Sequence, residues 1–394
     1  MGAALTTLLV FLLLLAGRFS IDRLVPGLAW LDVRWLMLCV SGLAFGLWVA
    51  AEVPERRSRR LPVGALVFVL WAGWLVLSAG WSPRSVVVTT EMENLLLLVG
   101  AVLFAGVVFQ RLPEEGMRFI WWLFVMAGVV YFVAAVIQGA GALGRFSAFG
   151  GGPNVFVRVL SLGAIAALAL GVQRGRNRWV LLLAPILAIG ALLSGSRGGF
   201  VAIGIVVLVA LVPIVRRLRW KATIALVAVM VLGAWTFARL LGDAQLQLMY
   251  VRFIERPLTA GDFSMRDVLA DSALRLFASH PLAGAGVGAV ADSLSFRGEG
   301  YYAHNLVLAT AAEGGMVGLT LLIGAVGGLV AAALRRRPLP SDVLFCLLGA
   351  AYVFVASLFS GDYYDSRFGW ALLLFAALLS ARGATTTEKQ RELG

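Results

Sequence analysis

The sequence predicts an all-α protein, a polytopic bundle of about twelve transmembrane helices, since one span needs roughly 20 apolar residues. Three observations support this. Hydrophobic residues make up 61% of the 394-residue chain and charged residues only 14%, where a soluble domain carries about a quarter charged. The apolar residues fall in continuous runs, whereas the strands of an outer-membrane barrel alternate. The breaks between runs are short and arginine-rich on alternate sides. So much apolar surface excludes a soluble globular enzyme, a disulfide scaffold and a disordered chain. The formal charge of +12 does not point to nucleic acid, because no basic patch lies on a soluble face.

Taken in order, the runs give spans near 3–17, 35–53, 61–79, 94–110, 119–139, 155–172, 179–193, 200–215, 222–241, 305–334, 343–359 and 368–380. The N-terminus has no basic region ahead of its first run, so that run reads as a retained span. With the N-terminus inside, the inner breaks hold 19 of the 33 basic residues and the short outer breaks 7. Both termini are therefore expected in the cytoplasm. Cys39 and Cys346 lie in apolar runs and read as buried small residues. The chain 1–394 reads as one transmembrane domain with a single long outer loop, 242–303. Within that loop Leu246, Met249, Tyr250, Phe253 and Ile254 recur at helical spacing, which suggests a helix on the membrane surface. Ser264 precedes Asp267 by three, a capping-box-like start for a second helix that His280-Pro281 ends.

Chemistry is expected among the polar residues of the outer face. Ser194-Gly195-Ser196-Arg197-Gly198-Gly199 forms a tight turn between two spans. Its glycines would let backbone approach a ligand, and its arginine suits a phosphate or pyrophosphate. The plainer reading is a hairpin with a snorkelling arginine. His304-Asn305 opens the tenth span. A histidine can act as a general base, and a helix cap is the alternative. Glu313 follows nine residues on, about 14 Å deeper at helical rise and half a turn out of phase. A carboxylate at that depth is a functional hypothesis by default, and its alternative is a packed, protonated or arginine-paired side chain. Arg266 stands in the first turn of a loop helix, where free backbone N–H groups favour anions. Asp267 and Asp271 could instead pair with it. Gly284-Ala285-Gly286-Val287-Gly288 looks like a phosphate-cradling loop, but no strand–helix unit surrounds it, and a flexible, tightly turning loop is the reading kept. Arg145, ahead of Pro153-Asn154, and Arg367, in Asp362-Tyr363-Tyr364-Asp365-Ser366-Arg367, are two further outer arginines. Arginines gathered around one histidine suggest a pyrophosphate-bearing donor. No carboxylate or histidine cluster has metal-ligand spacing, so metal-independent chemistry without a cofactor is expected.

The ordered set Ser194-Gly-Ser-Arg197-Gly-Gly, Arg266, His280-Pro281 with Gly284, Gly286 and Gly288, His304-Asn305 and Glu313-Gly-Gly315 resembles the O-antigen ligase and polymerase superfamily. Trp81-Ser82-Pro83 and the stretch from Arg145 to Asn154 are similar to it as well. The resemblance implies a GT-C-like glycosyltransferase of the bacterial inner membrane, with its active site facing the periplasm. It implies an undecaprenyl-diphosphate-linked glycan as donor and a hydroxyl of lipid A–core (in ligases) or of another glycan (in polymerases) as acceptor, within membrane lipid. It further implies that Arg197 and Arg266 hold the donor pyrophosphate and that His304 acts on the acceptor hydroxyl. Arg145 and Arg367 become phosphate contacts, with Asn305, Glu313 and Asn154 in support. The stretch Gly150-Gly151-Gly152-Pro153-Asn154 is richer in glycine than the pattern. Two readings from other classes stay open. A lipid-glycan transporter would show ionisable residues along a midplane path and paired broken helices. A non-catalytic assembly partner would need no polar outer site.

Overall fold

The computed structural model describes residues 2–17, 27–28, 31–51, 61–83, 86–113, 115–141, 144–173, 178–215, 266–293 and 303–392, with scattered positions from 224 to 255. Among the described residues the chain is helical and forms no β-strand. The helices are α1 (Gly2–Ala16), α2 (Val33–Ala51), α3 (Val63–Leu77), α4 (Val86–Arg111), α5 (Gly116–Gln138), α6 (Gly152–Val172), α7 (Leu183–Leu192) and α8 (Arg197–Val215). They continue with α9 (Arg266–Ser279), a single turn α10 (Ala289–Asp292), α11 (Leu306–Ala333), α12 (Ser341–Ala356) and α13 (Arg367–Glu392). The described positions from Ile224 to Tyr250 are helical too, followed by a π turn at Val251–Glu255. Leu246, Met249 and Ser264, on which the two loop helices were expected, lie outside the described residues, as does the side chain of Phe253.

Six of these helices are long and apolar enough to cross a membrane: α2, α3 with its 3-10 extension to Gly80, α4, α5, α6 and α11. α1, α7, α8 and α12 are shorter apolar helices. Large apolar side chains lie exposed on the outside of α2, α3 and α5, among them Leu43, Val63 and Ile137. A contiguous apolar exterior is tolerated where lipid is the solvent. Cys39 belongs to this outward surface of α2, so its expected burial is corrected, whereas Cys346 is buried. The first half of α13 is the axis of the bundle. From Phe368 to Leu378 it is buried on nearly every side, packed among α4, α11 and α12. An all-round apolar helix suits that place. α3 and α11 cross closely, because Gly64 and Gly328 oppose each other and a Cβ on Gly64 would lie 2.5 Å from the Leu329 nitrogen.

The expected tenth span is not one helix. α11 breaks at Gly315, whose φ of 64° and ψ of −160° are non-helical. Backbone groups freed inside a span need partners from protein, and the segment after α9 supplies them. The Ala285 and Gly286 amides donate to the carbonyls of Ala312 (2.8 Å) and Glu313 (3.1 Å). In return the Met316 and Val317 amides donate to the carbonyls of Pro281 (2.8 Å) and Leu282 (3.3 Å). The Trp81-Ser82 corner after α3 holds this splice from outside. The Trp81 indole donates to the Gly284 carbonyl at 3.1 Å, and the Val287 amide donates to Ser78 Oγ at 2.9 Å. Trp74 donates to the Gly314 carbonyl at 2.8 Å. The stretch Gly284–Gly288 is therefore a fixed piece of the bundle. It is neither a flexible turn nor a phosphate cradle, since its central amides are bonded to α11.

Replacing Gly315 tests the splice. A Cβ there would lie 2.3 Å from the Leu282 carbonyl at a positive φ. Gly315→Ala is expected to destabilise the protein by at least about 2 kcal/mol, read as a lowered unfolding temperature in detergent. Gly327→Ala, which meets open space, should change it little.

Candidate active site

The turn before α8 gathers three of the expected residues. The Ser196 amide donates to Ser194 Oγ (3.0 Å), and the Gly199 amide donates to Ser196 Oγ (3.3 Å). Ser196 Oγ in turn donates to Asn154 Oδ1 at 2.9 Å. Asn154 lies in the first turn of α6 and Arg197 opens α8. Arg145 joins from the preceding segment, its Nε donating to the Ser194 carbonyl at 2.8 Å. Arg145, Asn154 and half-buried Arg197 are thus brought to one place. The two glycines after Arg197 meet protein where a ligand was expected. A Cβ on Gly198 would overlap Phe359, and one on Gly199 would lie 2.6 Å from Val157.

His304 and Glu313 meet at a second place. His304 has a left-handed φ of 50° and precedes the helix. Asn305 is the cap, its Oδ1 accepting from the Val307 and Leu308 amides at 3.0 Å each. The half-turn offset expected between His304 and Glu313 does not apply, because His304 is not part of α11. Both line one small cavity of about 20 Å³, enough for a water. Glu91, Gly288, Asp362 and Tyr363 complete its polar wall. Glu313 is buried at this cavity, and its carboxylate accepts a 2.7 Å hydrogen bond from the Tyr363 hydroxyl and others from the Gly288 and Val290 amides.

Burial lowers the His304 imidazole to about 4. The Arg266 guanidinium adds to the lowering, Asp365 opposes it, and Arg158 contributes further. His304 is therefore neutral at physiological pH, its value lying below the one near 7 suited to a general base. Arg266, at the start of α9, is close enough to act on it electrostatically.

Arg367 is placed differently from expectation. It is buried, with Nε donating to the Leu14 carbonyl, Nη1 donating to the Tyr364 carbonyl at 3.1 Å, and an ion pair to Asp365 at 3.6 Å. These bonds tie α13 to α1, and Arg367 does not line the cavity shared by His304 and Glu313. Arg158 lies inside the 155–172 run and is not singled out by the sequence reading. Its Nη2 donates to the Ser360 carbonyl, and Nη1 pairs with Asp365 at 3.4 Å. An arginine inside an apolar run was the available signal. Tyr363 and Glu91 were missed as well, and only the fold sets them beside Glu313.

The α6, α8, α11 and α13 N-termini all reach this region. Helix N-termini carry partial positive charge, which favours anions, while amides at the starts of α8 and α11 are already bonded to Ser196 and Asn305. Residues 182–323 match the family model described as O-antigen ligase. That segment is similar to the O-antigen ligase family. It contains Arg197, Arg266, His304, Asn305 and Glu313, so the resemblance carried by the motifs is upheld. A comparison with curated proteins finds no match. Within the matched segment lie the Gly315 break and the loop that fills it. Arg145, Asn154, Arg158 and the 357–367 turn lie outside it.

The cap separates Asn305 from its neighbour. Asn305→Ala is expected to cost about 1 kcal/mol of stability, while Asn305→Asp keeps the acceptor and costs less. Thermal unfolding of the two variants beside wild type measures the difference.

Proposed function

We propose that the protein is an O-antigen ligase-type glycosyltransferase of the bacterial inner membrane. Its chain forms one transmembrane domain with both termini cytoplasmic, and its site and the 242–303 segment face the periplasm. It transfers a glycan from undecaprenyl diphosphate to a hydroxyl of lipid A–core. The observation that carries this reading is His304 lining a polar cavity with Glu313, within electrostatic reach of Arg266, inside a segment similar to the O-antigen ligase family. The broken helix α11 does not favour transport. Its freed backbone groups are bonded to the chain's own loop and so do not line a substrate path.

Arg197 and Arg266, with the helix N-termini, hold the donor diphosphate. His304 takes the proton of the acceptor hydroxyl as that oxygen bonds to the anomeric carbon. The bond from this carbon to the diphosphate breaks, and undecaprenyl diphosphate leaves with the electron pair, inverting the configuration. Charge that builds on the leaving group is stabilised by donors already fixed in place. The diphosphate also offsets the guanidinium charge that depresses His304. Binding of the donor therefore raises the proton affinity of the base when it is needed. Arg145 and Asn154 hold the turn that presents Arg197, and Glu313 and Asn305 hold the wall beside His304.

Cells lacking the protein are expected to accumulate long undecaprenyl-linked glycan. Wild type clears it, and His304→Ala, with a rate about 10²–10⁴ lower, does not. Single-repeat glycan would instead assign a polymerase, and an unchanged profile would refute both.

The acid limb of the rate tests the electrostatics, because the active imidazole is the neutral form and activity is lost as pH falls. For the free enzyme kcat/KM should hold until pH approaches about 4, while the limb in kcat lies at higher pH. Arg266→Gln removes a lowering charge, so it should move the kcat/KM limb upward. An unmoved limb would show that His304 does not set it.

A further inference from the structure

Beside the His304 cavity lies a larger one of about 240 Å³. It opens between the α1 C-terminus, α5, the α6 N-terminus and the 357–366 turn. The two cavities share Gly361, so the larger one adjoins the wall of the His304 cavity. Gly361 has a φ of 98°, and a Cβ there would lie 2.6 Å from Arg158 Nη2 and 2.7 Å from Asp365 Oδ2, so the shared residue has no room for a side chain.

The lining of the larger cavity is chemically mixed. Tyr131 and Phe149 supply aromatic surface, their rings edge to face with centroids 5.1 Å apart. Asn154, Ser360 and Asp365 supply polar groups. Phe149 has a φ of 52°. A bulky residue in that region is strained, and such strain concentrates at ligand-binding sites. Aromatic surface combined with amide, hydroxyl and carboxylate groups in one cavity suits a molecule with one apolar face and a rim of hydroxyls, which is the chemistry of a pyranose ring.

We propose that this cavity is a binding subsite for one sugar ring of a substrate glycan, with Tyr131 and Phe149 as its stacking wall and Asn154 and Asp365 as hydroxyl partners. The assignment of that sugar to a reacting glycan rests on the transferase reading, while the sugar-binding chemistry stands on the cavity itself.

Saturation-transfer NMR on the full-length protein, in a detergent without a sugar headgroup, tests it with the methyl glycosides of glucose, galactose, N-acetylglucosamine and rhamnose. At least one should give a signal that falls about tenfold in Tyr131→Ala, where the wall is lost, and in Val155→Phe, where the cavity is filled. His304→Ala should keep the signal. Two variants guard against one failing to fold, which thermal unfolding reports. No signal in folded wild type, or a signal unchanged in both variants, overturns the proposal. Competition separates the sources. Displacement by undecaprenyl-linked glycan assigns the ring to the donor, and displacement by lipid A–core oligosaccharide assigns it to the acceptor. In a turnover assay Tyr131→Ala should then raise KM for that substrate about tenfold. Displacement by neither, with glycoside binding still sensitive to the variants, would leave the sugar subsite standing and count against the transferase reading.

Discussion

The site depends on a backbone exchange between the break in α11 and the loop that follows α9. A span cannot leave amides and carbonyls unpaired in hydrocarbon, so the interruption at Gly315 exists only because residues 281–286 complete it. That exchange fixes three things together. It ends α9, whose other end carries Arg266. It orients the half-helix that runs from Asn305 to Gly314. It also brings the Gly288 and Val290 amides to the carboxylate of Glu313. The Trp81-Ser82 corner seats the loop on α3, which ties the arrangement to the close crossing of α3 and α11 at Gly64 and Gly328.

Around this splice, positive groups divide into two kinds. Arg158 and Arg367 flank Asp365 and fasten the 357–367 turn to α6 and α1, where their donors are bonded to carbonyls of the fold. A buried arginine with one carboxylate needs such additional bonds to offset its desolvation. Arg266 and Arg197 stand at helix starts and are half-buried. Arg158 and Asp365 also act on His304 from opposite directions. The ionic cluster that builds the turn therefore also acts on the histidine, whose lowering comes first from burial and then from Arg266.

Much of the helical layout was legible because apolar runs and charged breaks are local signals. Helices α5, α6 and α12 lie within a few residues of the runs that predicted them. The ordered polar motifs were legible for the same reason. The break in α11 was not, since Gly314, Gly315, Gly318, Gly324, Gly327 and Gly328 look alike in sequence. What distinguishes Gly315 is a partner loop some thirty residues earlier. Arg367 was read as an outer phosphate contact because its partner carbonyl, at Leu14, lies at the far end of the chain. The phase relation between His304 and Glu313 failed at one residue, where a left-handed backbone sets His304 apart from the helix that Asn305 begins.

The loop after α9 has a further meaning for how such a chain can vary. Surface connections usually tolerate gained or lost residues, since their ends are free to adjust. Between Pro281 and Gly286 both sides of the backbone are in register with a transmembrane helix, so one added residue would shift every bond of the exchange. This short stretch is bound to a fixed length as a β-strand in a sheet is, although the protein is built of helices. Epitope tags and natural length changes belong elsewhere in the 242–303 segment.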